Sequence, residues 1–363
     1  MHRFSKKQNK MIDIKNYDPN VASNPNNNIF GLPFTEEESK VVILPVPWEV
    51  TVSANAGTSR TAEQVFRASL QVGVFDMDVC DGWKQGFFMR EINRKLLMKS
   101  DYLRKEAELY IDFITKGNDL SQSKFMMKSL REINEGSLFL NDWVYQQTKE
   151  LLAQDKLVAL LGGDHSVSLG LIKALAEKHE SFGILQIDAH CDLRKSYEAF
   201  NYSHASIMYN VMNEVPNVER LVQFGIRNLA EEEWKCVCSS NFRIVTYLDQ
   251  KIKERMFEGE NWKTIVDELI DHLPQKVYLS FDIDGLDPKL CPHTSTPVPG
   301  GYDMEQILYL VKRMIQQGKE FIGFDLVEIG VGEDCVDATV GATLLWRLCN
   351  LLIKSNCHTK PVE

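Results

Sequence analysis

Short apolar segments that alternate with amphipathic segments constrain the fold of this chain more than any other feature. Strands whose two faces are both apolar are buried on both sides, and helices between them permit parallel pairing. The sequence therefore predicts an α/β fold with a mainly parallel sheet covered by helices on both faces. The predicted strands are Val41–Pro45, Leu157–Leu161, Gly183–Ile187, Leu221–Phe224, Ile244–Tyr247, Val277–Phe281 and Phe321–Leu326. The predicted helices are Thr61–Leu70, Asp142–Gln154, Leu169–His179, Ser206–Met212, Trp262–Leu273, Met304–Gln316 and Gly341–Leu352.

Two segments depart from this alternation and indicate how the chain is organised. Residues 1–40 are rich in asparagine and charged side chains, so they are expected to form an N-terminal arm and not a core element. Residues 76–137 are charged and helical in character and predict a helical insertion at the edge of the sheet. The remainder, residues 41–363, is expected to form one α/β domain around this insertion.

Charge and cysteine content restrict the partners and the compartment. The chain carries 41 lysines and arginines against 51 aspartates and glutamates, a formal charge of −10. This charge disfavours binding to nucleic acid and to anionic membrane surfaces. The polar, basic start of the chain has no apolar segment of the secretory type, and the eight cysteines form no dense disulfide framework. We therefore expect a cytoplasmic protein without a nucleic-acid or membrane partner.

Three segments rich in aspartate and histidine each follow a predicted strand. In open α/β sheets, functional groups gather beyond the carboxyl ends of the strands. Alternate positions of an extended backbone share a face, so Asp188, His190 and Asp192 can point the same way, as can Asp282 and Asp284. The three segments are Gly162-Gly163-Asp164-His165-Ser166, Asp188-Ala189-His190-Cys191-Asp192 and Asp282-Ile283-Asp284-Gly285-Leu286-Asp287-Pro288.

Together these segments offer two imidazoles and four carboxylates as metal ligands. Carboxylates with some imidazole suit Mn²⁺, or another octahedral first-row ion, better than structural Zn²⁺. Four clustered carboxylates repel one another without a counter-charge. Two divalent ions would cancel the four negative charges, so the composition favours a dinuclear site. Each motif alone would more often be a solvated turn or hydrogen-bonded structure. The ligands in question are His165, Asp188, His190, Asp192, Asp282 and Asp284.

The same motifs closely resemble the signatures of the ureohydrolases: arginase, agmatinase, formimidoylglutamase and hydrolases of other guanidine derivatives. The resemblance runs from about Val41 to Ile353 and is weakest in the insertion. It implies a three-layer α-β-α fold with a central, mainly parallel sheet of about eight strands. The segments that resemble the agmatinase branch most are Ser203–Ser206, Gln223–Arg227, Thr296–Gly301 and Asp325–Glu328.

The resemblance also implies roles for individual residues. Two Mn²⁺ ions per chain would be bound, with Ni²⁺ as an alternative. Glu328 would bind the substrate guanidinium, His204 would pass protons to the leaving amine, and Asp192 is counted with them as catalytic. Asp164 would orient a ligand imidazole. One ion would be held by His165, Asp188, Asp192 and Asp282, and the other by His190, Asp188, Asp282 and Asp284, so that Asp188 and Asp282 bridge.

General chemistry is consistent with the implied roles without requiring them. A carboxylate can pair with a planar guanidinium through two parallel hydrogen bonds. A histidine can protonate a leaving amine near neutral pH. From the residues alone, a structural role for His204 at the start of the next helix is as plausible as a catalytic one. For Glu328 alone, a salt bridge at the end of a strand is more plausible than substrate binding.

The expected reaction is cleavage of a guanidino compound to urea and an amine, with agmatine giving putrescine, a step of polyamine metabolism, as the favoured case. Segment 46–58, the insertion and His293 depart from ordinary agmatinases. Guanidine, arginine, guanidinobutyrate and formimidoylglutamate therefore stay open as substrates.

A non-catalytic metabolite-binding scaffold is the alternative of another class, and the retention of all six ligands argues against it. A one-zinc deacetylase would need a different ligand set. The resemblance further implies a homo-oligomer, a trimer or a hexamer.

Overall fold

A sheet of eight parallel strands lies at the centre of the computed structural model, which describes residues 17–357. The order across the sheet is β2-β1-β3-β8-β7-β4-β5-β6, and every neighbouring pair is parallel. The three-layer α/β prediction is confirmed. The strands are β1 (Val41–Pro45), β2 (Phe87–Met89), β3 (Leu157–Leu161), β4 (Phe182–Ile187), β5 (Val218–Ile226), β6 (Ile244–Leu248), β7 (Lys276–Asp282) and β8 (Glu320–Val327).

Helices cover both faces of the sheet because successive side chains of each strand point to opposite sides. In β1, Val41 and Ile43 belong to one buried hydrophobic cluster, whereas Val42 and Leu44 belong to another. The first cluster includes residues of α1, α8, α9 and α10, and the second includes residues of α2, α3, α4 and α5. The helices are α1 (Thr61–Ser69), α2 (Arg94–Thr115), α3 (Lys124–Leu152), α4 (Leu169–Lys178), α5 (Ile207–Glu214), α6 (Glu231–Ser239), α7 (Asp249–Phe257), α8 (Trp262–Asp271), α9 (Met304–Gln316) and α10 (Val336–Asn356).

The predicted insertion contains an edge strand followed by two long helices. Polar side chains cap both helices: Asn93 accepts hydrogen bonds from two backbone amides of the first turn of α2, and Ser123 accepts one in α3. The segment predicted as a separate helix at 142–154 is the last part of α3, which is 29 residues long. The strand β2 was missed because three residues are too few to show a pattern.

Helices α6 and α7 were also missed by the sequence analysis. Glu233 is the buried residue of α6, and only Asp249 and Ile252 are buried in α7. A helix that buries so little apolar surface has no wide apolar stripe, so it lacks the periodicity on which the prediction depends.

Part of the segment predicted as an arm belongs to the core. Ile29, Phe30 and Leu32 are fully buried, and the ring of Phe30 lies 4.9 Å from that of Trp346 and 6.1 Å from that of Phe87, between centroids. Residues 1–16 lie outside the described residues. The division into an arm, one domain and an insertion stays a prediction.

Among the described residues, α10 is the helix that is long and apolar enough to cross a membrane. Most of that helix is buried inside the fold, where it packs against α1 and β8. Its apolar composition is accounted for by this place in the core.

Candidate metal centre and active site

The strand order brings the predicted site residues together. Strands β3, β8, β7 and β4 are consecutive neighbours in the middle of the sheet. His165 follows β3, Asp188 follows β4, Asp282 ends β7 and Glu328 follows β8. Because all these strands are parallel, their carboxyl ends meet at one edge of the sheet. Residues far apart in the sequence therefore share one site.

The first group of ligands surrounds the ring nitrogen Nδ1 of His165. This atom lies 3.1 Å from Oδ2 of Asp188, 3.0 Å from Oδ2 of Asp192 and 3.4 Å from Oδ2 of Asp282. All four side chains are buried. Ligand atoms of His165, Asp188 and Asp192 lie within 4.8 Å of one another, close enough to bind one metal ion.

A second group is formed by His190, Asp188 and Asp284. Nδ1 of His190 lies 3.0 Å from Oδ2 of Asp284 and 3.6 Å from Oδ1 of Asp188. The two oxygens of Asp188 thus face different histidines, one in each group. This is the arrangement expected of a carboxylate shared by two ions. A second shared role for Asp282, which faces His165, stays a prediction.

The chemistry of the donor set fits a bound cation. Nε2 of His165 lies 2.9 Å from the Ser280 hydroxyl, which itself donates to the Asp325 carboxylate, so Nε2 carries the proton. Nδ1 is buried and has no hydrogen-bond partner among the described residues. A lone pair that faces three carboxylate oxygens is repelled unless positive charge lies between them. A divalent ion supplies that charge, and imidazole with carboxylate is a donor set such ions accept.

The electrostatics of the two groups favour added positive charge. Burial and the nearby Asp188 raise the pKa of Asp192 to about 7. Burial, Asp284 and Asp188 also raise the pKa of Asp282. Burial alone would lower the pKa of His190, but the carboxylates of Asp284 and Asp188 raise it to about 12. The protein therefore confines more negative charge here than its own side chains neutralise.

A row of polar side chains supports the ligands from inside the sheet. The amide of Gln186 donates to Oδ2 of Asp188 at 2.7 Å, and Gln223 donates to Gln186 at 2.7 Å. The hydroxyl of Thr246 donates to Gln223 at 2.7 Å. This row was not predicted, although glutamines within otherwise apolar strands are a signal of it.

The imidazole of His165 is held by Ser280 and not, as was predicted, by Asp164. Asp164 instead accepts hydrogen bonds from Ser166 and Thr51.

Glu328 lies beside the first group and is held at both carboxylate oxygens. Oε1 accepts a hydrogen bond from the amide of His165 at 2.9 Å, and Oε2 accepts one from the Ser295 hydroxyl at 2.7 Å. The side chain is only 2 % exposed. Burial and the neighbouring Asp164 raise the pKa of Glu328 to about 8. A buried carboxylate of this kind is stabilised by a cationic partner, but the structure does not itself assign one.

His204 lines a cavity together with His190 and Asp192. Its Nδ1 lies 3.3 Å from the Thr51 hydroxyl, and its backbone amide donates to the same hydroxyl at 3.1 Å. The ring of Tyr197 meets the His204 ring edge-on, with centroids 5.9 Å apart. Burial and the charges of His190, His165 and Arg104 lower the pKa of His204 to about 3. Nε2 is the ring nitrogen left available to a ligand. The contact with Thr51 was not predicted.

A cavity of about 380 Å³ joins these groups to the protein surface. This volume lies in the range of small-molecule sites. His190, Asp192 and His204 line this cavity together with Arg194 and Glu233, whose charged groups are 3.8 Å apart. The remaining lining is mostly small or polar: Ser53, Ala54, Asn55, Tyr197, Ala205, Asn228, Ser295, Thr296, Pro297 and Val298.

Comparison with known proteins agrees with this geometry. A model of the arginase family matches residues 39–350. The chain is 31% identical over 294 residues to the N(1)-aminopropylagmatine ureohydrolase of Thermus thermophilus, covering 81% of this chain and 83% of that protein. It is 27% identical over 303 residues to the agmatinase of Bacillus cereus, covering 84% and 88% of the two chains. The crystal structure of the agmatine ureohydrolase of Thermoplasma volcanium has a similar fold, with a TM-score of 0.65 at 21% identity, over 90% of this chain and 94% of that one.

Proposed function

Since this chain belongs to the arginase family, we propose that it is a ureohydrolase that cleaves a guanidino compound to urea and an amine. The observation that carries the proposal is the pair of ligand groups that share Asp188 and whose members His190 and Asp192 line the same cavity as His204. We propose agmatine as the substrate, with putrescine as the amine product, which would place the reaction in polyamine metabolism. The two relatives named as agmatinase and as N(1)-aminopropylagmatine ureohydrolase support this choice.

The metal ions proposed for this site are two Mn²⁺, with Ni²⁺ as the alternative. When bound, such ions stabilise negative charge and supply a strong nucleophile at neutral pH. The dominance of carboxylate oxygens in the donor set supports Mn²⁺. The residues proposed to hold the ions are His165, Asp188, His190, Asp192, Asp282 and Asp284.

Glu328 is the residue proposed to bind the guanidinium. A carboxylate and a planar guanidinium can form two parallel hydrogen bonds, which would fix the face of the substrate. The amide of His165 and the hydroxyl of Ser295 hold the two carboxylate oxygens in place, and each oxygen retains a lone pair. Binding a cation here would also offset the cost of a buried negative charge.

His204 is the residue proposed to protonate the leaving amine. An amine leaves a tetrahedral carbon readily only after it has accepted a proton. Because its pKa is lowered to about 3, His204 is neutral at pH 7, so it would first accept a proton from the attacking water and then pass it to the amine. Because Thr51 holds Nδ1, Nε2 is the nitrogen proposed to face the substrate. Asp192, which lines the cavity close to His165, is proposed to act as one of the residues that would hold an ion.

The cavity bears on the choice among candidate substrates. Its volume leaves room for a guanidino group with a tail, so it favours agmatine over free guanidine. The positive charge of Arg194 and the negative charge of Glu233 lie beside each other in the lining of the cavity. This pair therefore favours neither a cationic nor an anionic substrate tail. Arginine and guanidinobutyrate, which carry a carboxylate, therefore belong in the same assay, together with formimidoylglutamate.

We also propose that the protein acts in the cytoplasm as a homo-oligomer, a trimer or a hexamer, without nucleic-acid or membrane partners. The formal charge of −10 supports the absence of polyanionic partners. The mass of the protein in solution, measured by light scattering, would test the oligomeric state.

The decisive experiment is an assay of urea release after loading the protein with Mn²⁺ or, separately, with Ni²⁺. Agmatine, arginine, guanidinobutyrate and guanidine are offered in parallel, and formimidoylglutamate is followed by ammonia release. We expect agmatine to be hydrolysed fastest and the Asp282→Ala variant to be inactive. Asp287→Asn, which alters an aspartate of the same motif that pairs with Lys289, is the matched control. A protein that binds no metal and hydrolyses none of the five compounds would be a scaffold and not an enzyme.

A further inference from the structure

Thr51 connects His204 to a loop that borders the cavity. Residues 46–57 follow β1, and Ser53 and Asn55 in this loop line the cavity. The Thr51 side chain is fully buried, and its hydroxyl contacts both Nδ1 and the backbone amide of His204. The amide of Thr51 lies 3.4 Å from the Asp164 carboxylate. The position of Thr51 therefore determines how the His204 ring is presented to the cavity.

The backbone on either side of Thr51 is held by a side chain of the helical insertion. Nη1 of Arg104, a residue of α2, donates to the carbonyl oxygen of Val52 and lies 3.4 Å from that of Val50. The Arg104 side chain is 12% exposed, and its Nε donates to Glu108 at 3.1 Å. Hydrogen bonds from a charged donor are stronger than neutral ones. Arg104 thus binds the loop at the carbonyl oxygens of the two residues on either side of Thr51.

Two neighbours of Arg104 on the same side of α2 hold the chain before and after this point. The Ser100 hydroxyl accepts a hydrogen bond from the amide of Glu49 at 3.0 Å. The carboxylate of Asp101 binds Arg60 through two hydrogen bonds of 2.8 and 2.9 Å. Positions separated by three or four residues lie on one face of a helix. One face of α2 therefore contacts the loop at Glu49 and on both sides of Thr51, and it contacts Arg60 just beyond the loop.

We infer that Arg104 is a positioning residue, through which the helical insertion fixes Thr51 and thereby the orientation of His204. This inference rests on the proposed function, in which His204 protonates the leaving amine. It gives the insertion a part in catalysis, although α2 contributes no side chain to the lining of the cavity. A small misplacement of a catalytic group can lower a rate by about a hundredfold, so a support at this distance can matter.

Replacement of Arg104 by methionine tests the inference. Methionine retains an apolar stem but donates no hydrogen bond, so the loop loses its contacts at Val50 and Val52. We expect kcat for the best substrate to fall about tenfold, while KM and the number of metal ions bound per chain stay the same. Lys105→Met is the matched control, because Lys105 is exposed on the same helix and loses the same charge. Its kcat should equal that of the wild type.

Variants of Thr51 separate positioning from general stability. Thr51→Val removes the hydroxyl and should lower kcat about as much as Arg104→Met does. Thr51→Ser retains the hydroxyl and should restore most of the rate. The double variant Arg104→Met, Thr51→Val should be no slower than either single variant, because both act through the same contact with His204. Losses that multiply to about a hundredfold would overturn the inference.

Amide hydrogen exchange of residues 50–53 provides a readout independent of turnover. Exchange of these amides should be faster in Arg104→Met than in Lys105→Met, and unchanged exchange would contradict the contact. If the wild type hydrolyses none of the substrates, the proposed function fails, and the part of the inference that concerns His204 fails with it. If the wild type is active and Arg104→Met is equally active, the inference alone fails.

Discussion

At the scale of single residues, two of the proposed site residues have unusual backbone conformations. Asp192 has φ of 54° and Glu328 has φ of 61°, both in the left-handed region that residues other than glycine rarely adopt. Such conformations persist only where the surrounding structure enforces them, and they cluster at functional sites. At Glu328 the enforcing contacts are its backbone amide, bonded to Gly163, and its carbonyl oxygen, bonded to the Thr294 hydroxyl. The orientation of both carboxylates is thus part of the fold.

A histidine remote from the site makes stability depend on pH. His179 follows α4, and its Nδ1 lies 3.2 Å from Nζ of Lys276. Burial, together with Lys276 and Lys178, lowers the pKa of His179 from 6.5 to about 4. The unfolded chain therefore binds more protons between those values than the folded protein does, so stability is lost as the pH falls from about 6.5 to about 4.

Replacement of His179 should remove this component of the pH dependence. Between pH 7 and pH 5 the wild type should lose about 2 kcal/mol more than the His179→Gln variant, since one pKa unit corresponds to about 1.4 kcal/mol. Urea unfolding of both proteins at the two pH values would measure the difference. His272→Gln is the control at another histidine. Parallel losses in the wild type and His179→Gln would contradict the shifted pKa.

At the scale of secondary structure, the strands are joined by a row of polar side chains beneath the ligands. Thr246, Gln223, Gln186, Ser280 and Asp325 are register partners on the consecutive strands β6, β5, β4, β7 and β8. Hydrogen bonds along the row end on the ligands Asp188 and His165. Groups of this kind orient metal ligands, and their loss commonly lowers metal affinity by about 10- to 100-fold.

Interruption of the row at Gln223 should therefore weaken metal binding. Gln223→Leu leaves Gln186 without its donor, so the amide that holds Asp188 is no longer fixed. We expect Mn²⁺ affinity, measured by competition with a chelator, to fall by about tenfold or more in a protein that still folds. Thr246→Val, which interrupts the outer end of the row, is the control and should have the smaller effect. Equal affinity in wild type and Gln223→Leu would show that the row has no part in metal binding.

At the scale of the whole molecule, metal binding should be coupled to stability. The folded chain gathers Asp188, Asp192, Asp282 and Asp284 in a small buried volume, an arrangement that is costly without cations. An ion that binds only the folded state at a thousand times its Kd adds about 4 kcal/mol to the free energy of unfolding.

The unfolding temperature should therefore rise on addition of Mn²⁺ and fall after chelation. Scanning calorimetry would measure both changes. Asp188→Asn removes the carboxylate charge shared by the two groups, so its unfolding temperature should respond much less to Mn²⁺. An equal response in the variant would mean that the ion stabilises the protein at some other place.

Much of the architecture could be predicted because burial is recorded locally in the sequence. Strands of a doubly covered sheet must be apolar on both faces, so β1 and β3 appear as continuous apolar segments. Polar groups at the ends of such strands stand out, and the ligand motifs could be found for that reason. Helices α6 and α7, which bury little, leave no such record, and β2 is too short to show one.

The tertiary structure alone decided which of these groups meet. No local pattern reports that β8 lies between β3 and β7, which places Glu328 against the amide of His165, 163 residues away. No local pattern reports the contact between Thr51 and His204, which are 153 residues apart. None reports the hydrogen bond from Arg104 to the carbonyl oxygen of Val52. The physical reason is that periodicity and turn chemistry act over a few residues, whereas a contact between distant segments depends on strand order and packing. The sequence by itself therefore determined the layers and the candidate ligands, and the folded chain determined how they are oriented.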